Sequence, residues 1–241
     1  MEYLIHLAIL VGIYAILALS LNLAVGYTGL ILSKFDDDYY ALASFGFNII
    51  IFSVFLNWQE LTRGPLGIPG IHRPEIFSFS FSDNLSFLLL TSVFLLLVFL
   101  VCRHITESSF GRALKAIRED EEALQIFGYR TLNYKLAVFV VGAMLASVAG
   151  ALFASYITFI DPSTFTVSES IFILSAIILG GLASNRGAII GAVVLILLPE
   201  FLRFVGFPSD IAAQTRQAVY GILLVVLMLY RPQGLVGEYK L

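Results

Sequence analysis

Long runs of apolar residues, separated by short polar breaks, organise this chain from one end to the other. A helix that crosses the hydrocarbon core of a bilayer needs about 20 mainly apolar residues. Residues 3–25, 39–58, 85–102, 136–160, 167–183, 188–204 and 211–230 reach or approach that length. The run LSFLLLTSVFLLLVFLVC at 85–102 is the purest, and 136–160 is long enough to span with tilt. Helices are expected rather than strands, because an isolated strand leaves its backbone polar groups unsatisfied in lipid. The pattern predicts an all-α, polytopic transmembrane helical bundle of about seven spans, built as a single domain over residues 1–241.

One segment breaks the pattern. Between the third and fourth runs, residues 103–135 include EDEEALQIFGYR, where Glu119, Asp120, Glu121 and Glu122 stand side by side. Ser108 or Ser109 is a suitable N-cap, no proline follows, and Gly128 is a suitable C-terminal stop. A continuous helix over this stretch is therefore predicted. At 100° per residue Ala113, Ala116, Ile117, Leu124 and Phe127 fall on one flank, interrupted by Asp120, while the charges of Arg118 and the acids fill most of the rest. So polar a helix will not cross a membrane. Lying flat on the lipid surface is one role for it. Four adjacent carboxylates would be repelled by an anionic leaflet, which favours a soluble partner with a groove for the apolar flank.

Charge sets the orientation. Arg103, Arg112, Lys115, Arg118, Arg130 and Lys135 place six of the fourteen Lys and Arg in this one connection, which the positive-inside rule assigns to the cytoplasm. Counting outward from it, Lys34, SNRG and RPQGLVGEYK are expected inside. The N-terminus and the connections 59–84, 161–166 and 206–210 are expected outside.

Composition agrees. The chain is 59% hydrophobic and 13% charged, against about 25% charged in a soluble domain. A net charge of −3 argues against a nucleic-acid partner. Cys102 is alone and forms no intramolecular disulfide. Glu2 stands where a secretory signal would carry a base, so the N-terminal run is expected to be a retained span. Gly142, Ala146, Gly150 and Ala154 share one helical face, and Gly187 and Gly191 repeat the interval. Close helix packing is the expected use of both.

Candidate chemistry is sparse. His6, His72 and His104 lack metal-ligand spacing, no metal or catalytic residues are expected, and no GxxxxGK[ST] loop is present. Glu169, Glu200 and Arg216 are expected near the outer surface as interfacial anchors, with Glu200 and Arg203 spaced to pair. Gly180 and Gly181 interrupt an apolar run, as transport pathways often do. Asn22, Asn48 and Ser175 are candidates to offer hydrogen bonds along the same path or, equally, to serve helix packing.

The stretch FGRALKAIREDEEALQIFGYRTLNYKLAVFVVGAMLASVAGALFA resembles the permease subunits of ABC importers for branched-chain amino acids. The resemblance continues in DDYYALASFGF, LTRGPLGIPGI, ILGGLASNRGAIIGA and RPQGLVG, covering residues 11–30 and 36–238. It implies a multi-pass permease in the inner (cytoplasmic) membrane. The implied partners are two cytoplasmic ATPase subunits, a paralogous permease, an external substrate-binding protein and membrane lipid. ATP and Mg would be bound by the ATPase subunits and no cofactor by this chain, which is a transporter subunit and not an enzyme. Glu122, Ala123, Leu124 and Gly128 match the EAA…G-like signature of the coupling helix, with Leu in place of the second Ala. The whole segment from Ala113 to Gly128 is then the ATPase-coupling element. A urea or amide importer subunit, and an ATP-independent amino-acid or urea channel, remain as alternatives. After Leu30 the chain departs from the family, and about two spans are expected to be absent there.

Overall fold

The computed structural model describes residues 2–27, 37–76, 79–204, 221 and 233–237. The seventh expected span, 211–230, lies outside the described residues, as do Lys34, Arg216 and the Arg203 side chain. Four helices are long and apolar enough to cross a membrane: Glu2–Gly26, Asn84–Glu107, Thr131–Ile157 and Pro162–Gly180. Two shorter apolar helices, Phe45–Asn57 and Asn185–Leu198, correspond to the second and sixth runs. The fold is all-α and that of a membrane protein.

Helix α1 (Glu2–Leu21) is apolar on every side and sits where that is tolerated, at the centre. It packs against α4 (Asn84–Glu107), α7 (Thr131–Ile157), α8 (Val167–Gly180) and α9 (Asn185–Phe204). Ile9, Ile13, Ile16 and Leu19 are fully buried there. The helix then continues as a π-helical turn, Asn22–Gly26. Helices α8 and α9 run back against each other through small residues. A Cβ on Gly180 would stand 1.9 Å from the Gly187 carbonyl oxygen, and one on Gly191 1.9 Å from that of Ala176. The Gly142 stripe behaves unevenly. Gly142 meets the Ser20 carbonyl and Ala24, whereas Gly150 faces open space.

Helix α2 (Asp37–Asn57) stands at the side of the bundle and leads into the short α3 (Gln59–Thr62). After them the GPLGIPG loop forms β1 (Ile68–Pro69). A short strand that follows α7, β4 (Phe159–Ile160), pairs with it antiparallel, Ile68 opposite Ile160. Between them in sequence, β2 (Glu75–Ile76) and β3 (Phe79–Ser80) make a hairpin. Arg73, beside that hairpin, lies over the rings of Phe87 and Tyr156 at 5.6 and 5.7 Å. These contacts gather connections 59–84 and 158–166 at one end. Segment 103–135 and the α8–α9 junction gather at the other.

The charged segment is not one helix. It divides into α5 (Ser109–Glu119) and α6 (Glu121–Ile126), with Asp120 extended between them at φ −156°, ψ 97°. Continuing the helix would have stacked four like charges within about one turn. Aspartate favours the alternative, because its side chain serves better at an N-cap than in a helix interior. The Asp120 carboxylate accepts the Ala123 N–H at 2.9 Å, and Glu121 and Glu122 then occupy the first turn, where the helix dipole favours acids.

Candidate functional site

The segment from α5 to α7 is assembled from local capping and fastened by a few long-range bonds. The Ser108 hydroxyl accepts the Gly111 N–H at 3.3 Å, starting α5. Gly111, Leu114 and Ile117 form its buried underside. Arg118 reaches across to donate to the Gly26 carbonyl at 2.6 Å, and the Lys115 ammonium lies 5.8 Å from the centre of the Tyr27 ring. Helix α5 is thereby tied to the π-helical end of the central α1.

Helix α6 is held differently. Glu121 and Lys135 form an ion pair at 2.5 Å, their side chains 14% and 9% exposed, which pins the start of α6 to α7. Gln125 donates to the Thr131 hydroxyl at 3.0 Å. The helix ends as expected at Gly128, whose φ of +86° only glycine takes without strain. The Gly128 N–H bonds the Gln125 carbonyl at 3.0 Å and the Tyr129 N–H bonds that of Leu124 at 3.1 Å, the two bonds of a Schellman stop.

The break at Asp120 rotates the predicted flank apart. Ala113, Ala116, Ala123 and Leu124 are half-buried, Ile117 is buried, and Glu119, Asp120, Glu122 and Gly128 are exposed. Phe127 is 80% exposed and its neighbour Ile126 85%. Periodicity extended through Asp120 had no means of finding Ile126; the available signal was two adjacent bulky apolar residues in an otherwise charged segment. Two such side chains in water forgo about 1.5–3 kcal/mol each relative to burial. With the exposed Glu122 one turn earlier on α6, they make a small exposed apolar knob.

Of the expected path residues, Asn22, Gly180 and Gly181 gather at the α8–α9 junction, while Ser175 and Asn48 lie apart from it. Asn22 is fully buried, its Oδ1 accepting the Ala183 N–H at 3.0 Å at the α8–α9 junction. Nearby, Asn185 donates to the Thr106 hydroxyl at 3.2 Å. Ser175 bonds back to the Ile171 carbonyl at 2.7 Å. Gly180 packs on Gly187. Gly181 adopts φ +113°, and a Cβ there would stand 2.5 Å from the Gly237 nitrogen. Leu235 and Val236 donate to the Leu179 and Gly180 carbonyls at 2.8 and 2.9 Å, so the RPQGLVG and ILGG motifs close one structure. Asn48 differs from these four in lining a cavity of about 480 Å³ together with Phe52, Phe55, Asp161, Glu169 and Ile173.

Glu169 is not where its position in the sequence placed it. Its carboxylate accepts a hydrogen bond from Tyr14, two turns deeper along α1 than His6, which meets Tyr156 near the end of α7. Eight residues of helix put Glu169 about 12 Å below that level. The reason is that α8 has only 14 residues, and the chain after Thr158 descends into the bundle before the helix begins. Along that descent the Ser163 and Thr164 hydroxyls bond the Asp161 carboxylate and hold its pKa below the usual carboxylate value.

The family described as branched-chain amino acid transport system, permease component, matches residues 29–228. The high-affinity branched-chain amino acid transport system permease protein LivM of Salmonella typhimurium is 33% identical over 84% of this chain and 51% of its own length. LivM of Escherichia coli is 32% identical with the same coverage. LivH of Escherichia coli is 27% identical over 77% of this chain and 61% of its own. The chain spans about half the length of the LivM proteins it matches. No solved structure matches it.

Proposed function

Given that the chain belongs to the family of branched-chain amino acid transport permease components, we propose that it is a permease subunit of an ATP-driven importer for branched-chain or related hydrophobic amino acids. In this reading it crosses the inner membrane as a multi-pass bundle of seven spans, with segment 103–135 in the cytoplasm and β1–β4 outside. A paralogous permease completes the pathway, an external binding protein delivers substrate, and two ATPase subunits bind ATP and Mg.

The observation that carries the proposal is the exposed Ile126–Phe127 knob on a segment bonded to the central helix. An ATPase subunit grips the knob and the acids beside it. Movement of α5 and α6 on ATP binding is then transmitted through Arg118 to Gly26 and through Lys135 to α7, changing which end of the bundle is open. Because α5 and α6 are separate helices, they act as two short arms joined at Asp120.

The test uses the complete complex in proteoliposomes. A cysteine at Phe127 is expected to cross-link to the ATPase subunit, with Cys102 replaced by Ala as background. Glu122→Lys and Gly128→Val are expected to lower leucine uptake per ATP hydrolysed, the second by straining the positive-φ stop, since open space surrounds Gly128. Uptake of urea in preference to leucine would overturn the substrate assignment. An uncross-linkable Phe127 together with unchanged coupling in both variants would overturn the importer reading.

A further inference from the structure

The cavity beside α2 has a definite chemistry. At the end opposite segment 103–135 it is bordered by Thr62, Ile68 and Ile160. In the orientation proposed above this is the outer end. Farther in it is bordered by Glu169 and Ser170 of α8 and by Asn48, nine residues and so about 14 Å before the end of α2; Asn48 and Ser170 are themselves exposed, so the cavity is an open cleft. Ile51, Phe52, Phe55, Phe165 and Ile173 supply apolar walls. Two carboxylates, Asp161 toward the outer end and Glu169 farther in, line it, and none of its described lining residues is basic. A half-buried carboxylate at that depth is costly without a compensating cation. The Tyr14 hydroxyl fixes its direction but brings no charge.

A ligand suited to these walls carries one positive group close to a compact aliphatic body. We infer that Glu169, oriented by Tyr14, binds the ammonium group of an aliphatic α-amino acid in this cavity, with the side chain against Phe52, Phe55 and Ile173 and the ligand's own carboxylate, which no basic residue of the described lining meets, turned from Glu169 toward the hydroxyls of Thr166 and Ser170. The inference rests on the importer reading and gives it a substrate contact. Glu169 is here a binding residue and Tyr14 a positioning residue.

A second cavity of about 420 Å³ lies between α1, α7 and α8, lined by Ser20, Ala24, Phe139, Gly142 and Ala146. Ser170 and Ile173 border both cavities, so one face of α8 separates them. Gly142, which also packs closely against Ser20 and Ala24 of the central helix, and Ala146 border that second space.

The experiment reads occupancy directly. In the complete complex with Cys102→Ala, a cysteine at Asn48 is labelled with a membrane-impermeant maleimide in the absence of binding protein. Leucine is expected to slow labelling several-fold, and 4-methylpentanoate, which keeps the branched chain and lacks the ammonium, to leave it unchanged. Glu169→Gln is expected to raise the leucine concentration needed by about tenfold or more, in keeping with the loss of a charged hydrogen bond. Tyr14→Phe, which retains the carboxylate, raises it by less. If Glu169→Gln fails to assemble, the comparison of the two ligands still decides. Equal protection by both ligands, or none by leucine, in a complex that takes up leucine overturns the site and leaves the importer reading standing. A wild-type complex that takes up no leucine overturns both.

Discussion

Lys135 shows how much a single side chain carries in this protein. It lies in the first turns of an otherwise apolar helix, where a cation is tolerated because Glu121 meets it 2.5 Å away. Breaking a buried pair from one side costs more than removing both charges, because the survivor is left uncompensated. Lys135→Met is therefore expected to destabilise the docking of α6 on α7 by about 3 kcal/mol. Adding Glu121→Gln should restore most of it. Amide exchange across residues 121–126 measures both. A double variant as labile as the single one would mean that the pair does not hold α6.

At the scale of elements, the division of the charged segment at Asp120 decides which apolar residues face out. The cap bond from Asp120 to Ala123 is the local device that starts the second helix. Asp120→Ala removes it at an expected cost of about 1 kcal/mol, seen as roughly fivefold faster exchange of the α6 amides. It should also let α5 extend into α6, turning Ile126 and Phe127 away from their present direction. Cross-linking from Phe127 to an ATPase subunit is expected to fall accordingly. Faster exchange with undiminished cross-linking would show that the knob does not depend on the break.

Across the whole molecule, α1 is the helix against which α4, α7, α8 and α9 all pack, and Arg118 is a direct bond from segment 103–135 to its π-helical end. A hydrogen bond from a charged donor is worth about 1.5–3 kcal/mol. Arg118→Gln should leave the complex assembled and hydrolysing ATP, because the ion pair at Lys135 and the exposed knob are untouched. Leucine moved per ATP hydrolysed should fall. An unchanged ratio would remove Arg118 from the path of transmission and leave Lys135 to carry it.

Much of this protein was legible along the chain, because hydropathy and capping act over a few residues. The long apolar runs, the start at Ser108, the Schellman stop at Gly128 and the motifs of the family all follow from neighbours close in sequence. Asp120 was legible in principle too, as a residue better suited to a cap than to a helix interior, though periodicity alone carried the helix through it. Depth and partnership were not legible. Tyr14 meets Glu169 across 155 residues, Asn22 meets Ala183 across 161, and RPQGLVG finds the end of α8 from the far side of the chain. Only the packing of α8 against α1 sets how far the chain descends before that helix begins. That depth turns Glu169 from an expected surface anchor into part of the lining of a cavity, since a carboxylate's role in a membrane protein depends on what surrounds it.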